Sequence, residues 1–140
     1  MTYKLLKATS RELKTLDQAI TDFNPKAAPE LPRAKIHRLD FSAKNEKDEL
    51  LGGIQAYWVN WGILHVELIY VFEDYRNQGI ASTLLKRAEQ IANQNKCYLA
   101  YLSTFDFQAK DFYLKQGYSV FGVLENAPKG HARYYMKKEL

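Results

Sequence analysis

The sequence predicts an α/β (α+β) fold, a mixed and mostly antiparallel central sheet of about six to seven strands with helices on both faces. Three observations predict it. Strand-like runs between Lys35 and Phe72 follow one another across short polar turns, as an antiparallel meander does. After Glu73 the period changes, and apolar residues recur at helical spacing from Ile80 to Ala92. Beyond that helix, short strands alternate with one further helical segment.

In order, Tyr3–Lys7 reads as a first strand. Ser10 reads as the N-cap of a helix whose Leu13, Leu16, Ala19 and Ile20 form an apolar stripe. Asn24-Pro25 to Pro32 holds three of the four prolines and reads as a loop or an interrupted second helix. Lys35–Ala43 alternates as a strand, and Asn45–Asp48 is a polar turn. Leu50–Val59 is the next strand, with Gly52-Gly53 permitting a bend or bulge. Asn60-Trp61-Gly62 makes a tight turn into the apolar strand Ile63–Phe72. In the following helix Ile80, Leu84, Leu85, Ala88, Ile91 and Ala92 face inward, and Asn95-Lys96 ends it. Tyr98–Ser103 is a strand and Gln108–Gln116 a short helix with Gly117 as its C-cap. Tyr118–Val123 and Arg133–Lys137 are the last strands, joined by a loop containing Pro128-Lys129-Gly130.

The 140 residues suffice for one compact domain, expected over 1–140. No apolar run approaches the ~20 residues of a membrane helix. Met1–Leu6 lacks the apolar core and cleavage site of a signal peptide, so a cytoplasmic protein is expected. Net charge is +4 but scattered, which suits a small anionic ligand and gives no clustered face for nucleic acid. A lone Cys97 forms no intrachain disulfide, and His37, His65 and His131 lie far apart, so no metal site is expected.

Ile63 to Ala92 is the informative stretch. Unpaired N–H groups at a helix start attract anions, and the helix dipole adds to this. Gly79 has no side chain to hold a phosphate away, Ala81 is small, Arg76 adds charge, and Ser82 or Thr83 offers a hydroxyl. A plain turn into a surface helix is the competing reading. Neither the Gly-x4-Gly-Lys-Ser/Thr loop nor the Gly-x-Gly-x-x-Gly fingerprint is present.

Arg76-Asn77-Gln78-Gly79-Ile80-Ala81 resembles the Gln/Arg-x-x-Gly-x-Gly/Ala signature of the GNAT acetyltransferases. Glu67-Leu68-Ile69-Tyr70-Val71 before it resembles that family's central strand. Phe105–Ala109 and Phe112–Tyr118 resemble its later helix. Val120-Phe121-Gly122 and Gly130–Tyr135 are similar to the ending of one bacterial branch. The match runs from about Leu50 onward. The resemblance implies a sheet splayed between its fourth and fifth strands, here Ile63–Phe72 and Tyr98–Ser103. It implies acetyl-CoA as acyl donor, with pantetheine pairing along the backbone of Tyr70, Val71 and Phe72. The pyrophosphate would lie on Arg76, Asn77, Gln78, Gly79, Ile80, Ala81 and Ser82.

Transfer to an amine requires one proton to leave nitrogen and favours one arriving at sulfur. Tyr113 matches the tyrosine of the family's Tyr-x-Lys-x-Gly segment, which implies donation to the thiolate; a core tyrosine capping a backbone group is its alternative. Glu67 interrupts an apolar strand, and on period two it shares a face with His65 and Ile69. It is a candidate base or an attractor for a cationic acceptor, and a surface ion pair is the plainer role. His65 is a possible assistant to Glu67. His131 has an acceptor-side, a CoA-side or a loop-stabilising role. Trp58 and Trp61 have either a cleft-lining or a packing role, and Cys97 reads as a core thiol.

The expected function is direct acetyl transfer from acetyl-CoA to a primary amine of a small-molecule or peptide acceptor. No nucleic acid or membrane takes part, and a homodimer is possible. A non-catalytic CoA-binding or regulatory module on the same fold is the alternative.

Overall fold

The computed structural model describes residues 1–140, which separate into two compact units, 1–35 and 36–140. In the first unit, helix α1 spans Ser10–Ala27. Its N-cap is Thr9, one residue earlier than expected. The Thr9 hydroxyl accepts from Glu12 N–H at 3.2 Å while the Glu12 carboxylate accepts from Thr9 N–H at 2.7 Å, closing a capping box. The helix carries through Pro25, which in the last turn forfeits only one helical hydrogen bond, so no second helix begins there. Residues 3–7 form no strand: they join no ladder that would satisfy their backbone N–H and C=O groups.

The second unit is a seven-stranded sheet of order β1-β3-β4-β5-β7-β6, with β2 also paired to β3. The strands are β1 Ile36–Arg38, β2 Phe41–Lys44, β3 Leu50–Val59, β4 Ile63–Val71, β5 Leu99–Phe105, β6 Ser119–Glu125 and β7 Ala132–Glu139. The expected strand over 35–43 is thus two short ones. The break comes at Leu39, which is buried in the core, and Asp40, whose Oδ1 accepts from Ala56 N–H at 3.2 Å. A side chain there replaces a ladder bond.

The β3–β4 hairpin turns on Gly62 at φ 85°, where an added Cβ would lie 2.7 Å from the Tyr98 ring. Parallel strands need a crossover, and helix α2, Ile80–Gln94, provides it between β4 and β5. Leu84, Leu85, Ala88 and Ala92 of α2 share one core with Ile54, Ala56, Leu64, Val66, Leu102 and Met136. Tyr113 of helix α3, Lys110–Lys115, joins the same core.

β4 and β5 pair only through Ile63↔Leu99, Leu64↔Ala100 and His65↔Tyr101, and then diverge. This is the expected splay between the fourth and fifth strands.

The candidate active site

The splay coincides with a defect in β4. Gln55 of β3 faces Leu68 and Ala56 faces Val66, so Glu67 is an unpaired bulge residue. The extra residue reverses the alternation beyond it. Leu64 and Val66 point into the core, but so do Ile69 and Val71, while Leu68 and Tyr70 are exposed. The expected shared face of His65, Glu67 and Ile69 is therefore wrong at Ile69, because period two holds only within an unbroken ladder.

The gap opens into a cavity of about 740 Å³. Of the residues singled out from the sequence, Glu67, Tyr70, Val71, Arg76, Asn77, Gly79, Ile80, Ala81, Ser82 and Tyr113 line it; Phe72 and Gln78 do not. Phe72 instead meets Tyr70 edge to face over a shallower hollow, and its N–H is already given to Leu51 C=O at 3.0 Å.

One end of the cavity is the start of α2. A short 3-10 turn, Glu73–Tyr75, leads to Asn77 at φ 61° and Gly79 at φ 77°, both left-handed. A Cβ on Gly79 would meet nothing nearer than Ser82 Oγ at 3.8 Å, so glycine serves the backbone angle and the space above it stays open. Unlike α1, α2 has no side-chain cap and no acidic residue in its first turn. The Ser82 and Thr83 hydroxyls both donate back to Gly79 C=O, at 2.9 and 2.8 Å. The N–H groups of Ile80, Ala81 and Ser82 keep their donor capacity, an anion-receptive arrangement. Arg76 is braced on β4. Its Nε donates to Val71 C=O at 2.9 Å, and its guanidinium lies 5.5 Å from the Tyr70 ring centroid.

Tyr113 and Glu67 line the same cavity. Tyr113 is 6% exposed, lines the cavity, and its hydroxyl makes no hydrogen bond within the protein. Burial pushes its pKa up to about 12, so it carries its proton at neutral pH. Glu67 is ion-paired: Arg38 Nη2 donates to its Oε2 at 2.7 Å and holds its carboxyl below the usual range.

The remaining candidates lie elsewhere. His65 packs between the rings of Tyr57 and Tyr101, and burial lowers its pKa. His131 Nδ1 bonds Asp106 at 2.9 Å and fastens the β6–β7 loop to the segment after β5. Trp58 stacks on His37 with centroids 3.9 Å apart, and neither Trp58 nor Trp61 lines the cavity. Cys97 is a buried core thiol.

Sequence reasoning missed Arg38 and Asp40, which no local pattern marks. It also missed the β5 wall of Ser103 and Thr104, although a threonine at a buried strand phase was a readable signal.

The chain belongs to the GNAT acetyltransferase family: that family's sequence model, described as the acetyltransferase (GNAT) family, matches residues 10–118. It is accordingly an N-acetyltransferase by family. It is 36% identical over 99 residues to blasticidin-S acetyltransferase of Streptomyces morookaense, covering 70% of this chain and 72% of that protein. It resembles the crystal structure of an acetyltransferase from Bacillus cereus with a TM-score of 0.89 and 30% identity, over 99% of this chain and 98% of that one. An aminoglycoside 6'-N-acetyltransferase crystallised with coenzyme A shares the fold at 19% identity and a TM-score of 0.63, over 97% of each chain.

Proposed function

We propose that this single N-acetyltransferase domain moves an acetyl group from acetyl-CoA directly to a primary amine of a small-molecule acceptor. The observation that carries the reading is that three features face one cavity. These are the open edge of β4 beyond His65, the uncapped start of α2 and the unbonded hydroxyl of Tyr113. The pyrophosphate fits the N–H groups of α2, with Gly79 leaving room. The pantetheine amides pair with β4 between Glu67 and Tyr70, where no neighbouring strand competes. Val71 C=O is taken by Arg76.

The nitrogen lone pair attacks the thioester carbon and the C–S bond breaks toward sulfur. Tyr113 gives its proton to sulfur and is restored by the proton that nitrogen loses, leaving an amide and a thiol. With its pKa at about 12, Tyr113 keeps its proton at neutral pH, so a hydroxyl is present to donate to the sulfur. Glu67 borders the amine side. Its lowered basicity favours attracting a cationic acceptor over acting as a strong base. The names of the relatives support a small-molecule amine as acceptor.

A cytoplasmic location and a homodimer belong to the same reading. No helix is long and apolar enough to cross a membrane. Light scattering in solution tests the dimer.

The test is thiol release from acetyl-CoA across a panel of amines. Amine-dependent release is expected with at least one class. Acetyl-CoA binding with no release for any amine would contradict the reading.

A further inference from the structure

Glu67 does not stand alone at the bulge. Arg38, on β1 opposite Tyr57 of β3, reaches across the sheet to it. Its guanidinium binds Asp40 through two bonds, Nε to Oδ2 at 2.9 Å and Nη2 to Oδ1 at 2.6 Å, and Glu67 through a third. The same plane lies 5.7 Å from the Tyr57 ring centroid. Asp40 is itself tied to the backbone, since its Oδ1 accepts from Ala56 N–H, whose residue pairs with Val66 beside the bulge. A chain of contacts thus runs from the β3 backbone through Asp40 and Arg38 to the Glu67 carboxylate.

We propose that Arg38 is a positioning residue for Glu67, fixing the orientation of its carboxylate so that the acceptor is captured as its ammonium form. This rests on reading Glu67 as the acceptor-side carboxylate of the transferase. The charged and titratable groups facing Glu67 are Arg38 and Asp40 from β1 and the residues after it, and His65 from its own strand. His65 is kept neutral by burial, so Arg38 is the only lasting cation among them. Two carboxylates against one guanidinium leave net negative charge at this border of the cavity. The preferred acceptors are therefore amines with no carboxylate beside the reacting nitrogen. The captured ammonium yields its proton to water before attack, because a carboxylate held this low is a weak base.

The test uses Arg38→Gln and Arg38→Lys in the full chain. Two readouts are taken: the Glu67 side-chain carboxyl titration by carbon-13 NMR, and separate KM values for the amine and for acetyl-CoA. In Arg38→Gln the Glu67 titration is expected to rise toward the ordinary 4.5. The amine KM is expected to increase roughly tenfold, because the Glu67 carboxylate loses the bond that fixes its orientation, while the acetyl-CoA KM stays within about twofold. Arg38→Lys should recover part of both effects, and it carries the same readouts if the glutamine variant folds poorly. An unmoved Glu67 titration, or amine and acetyl-CoA KM values rising together, overturns the proposal. If the wild type releases no thiol with any amine, it is the transferase reading that fails. The titration alone still reports whether Arg38 governs Glu67.

Discussion

Tyr113 and Tyr118 meet edge to face with ring centroids 5.9 Å apart, yet only one of the two hydroxyls is engaged inside the protein. Tyr118 donates to Glu89 Oε2 at 3.0 Å, and Glu89 in turn pairs with Lys138 at 3.0 Å. Tyr113, five residues earlier and equally sheltered, turns its hydroxyl to the cavity with no partner. Of these two neighbouring tyrosines, one is tied into the core and the other leaves its hydroxyl to the cavity.

Tyr113→Phe removes a hydroxyl that no protein group depends on. Its melting temperature should stay close to wild type. Its kcat should fall about 100-fold, the lower range for a lost general acid, with the acetyl-CoA KM little changed. Steady-state thiol release checks this; an unchanged kcat would remove Tyr113 from the mechanism.

Tyr118→Phe should behave in the opposite way. It leaves the buried Glu89 short of a donor, so stability should drop by about 1–3 kcal/mol with kcat preserved. Urea unfolding together with the same assay separates the two tyrosines.

Acid stability should depend on Arg38. The folded-state pKa values of Asp40 and Glu67 lie below their ordinary 3.8 and 4.5, mainly through hydrogen bonds from Arg38. A carboxyl lowered on folding contributes stability that is complete above its unfolded value and is lost as pH falls through the folded one. Arg38→Gln should therefore flatten the stability curve below about pH 5, seen by urea unfolding across pH. An unflattened curve would mean that the ion pairs are not populated in solution.

His65 acts at higher pH. Burial lowers its pKa from 6.5, so the unfolded chain binds its proton first and stability declines as pH drops below that value. His65→Phe keeps a ring between Tyr57 and Tyr101 but does not titrate. The decline between about pH 6.5 and 5 should be shallower in this variant. Thermal melts at stepped pH measure it.

Much of this architecture is legible in the sequence because its signals are local. The helical period after Gly79, the turn at Gly62 and the motif around Tyr113 each lie within a few residues. The features that escape reading depend on partners far along the chain. Arg38 and Glu67 are 29 residues apart, and only the β1–β3–β4 pairing joins them. The bulge at Glu67 is a relation between two strands, so no single-strand pattern announces it, and the side-chain phase of Ile69 is misread. Tyr3–Lys7 has strand-like residues but no ladder. Thr9 takes the cap from Ser10 because Glu12 stands three residues after it, a box already visible in the sequence.

The central claim is that the start of α2 receives the pyrophosphate of acetyl-CoA, and titrating acetyl-CoA into wild type and Gly79→Glu by calorimetry tests it most directly. The glutamate puts bulk and negative charge into the open space above the first turn, where an added Cβ now meets only Ser82. The left-handed backbone at Gly79 adds strain of about 1–2 kcal/mol, so a thermal melt must confirm that the variant is folded. Loss of measurable acetyl-CoA binding in a folded Gly79→Glu protein is the predicted result. Binding as tight as wild type would contradict the account.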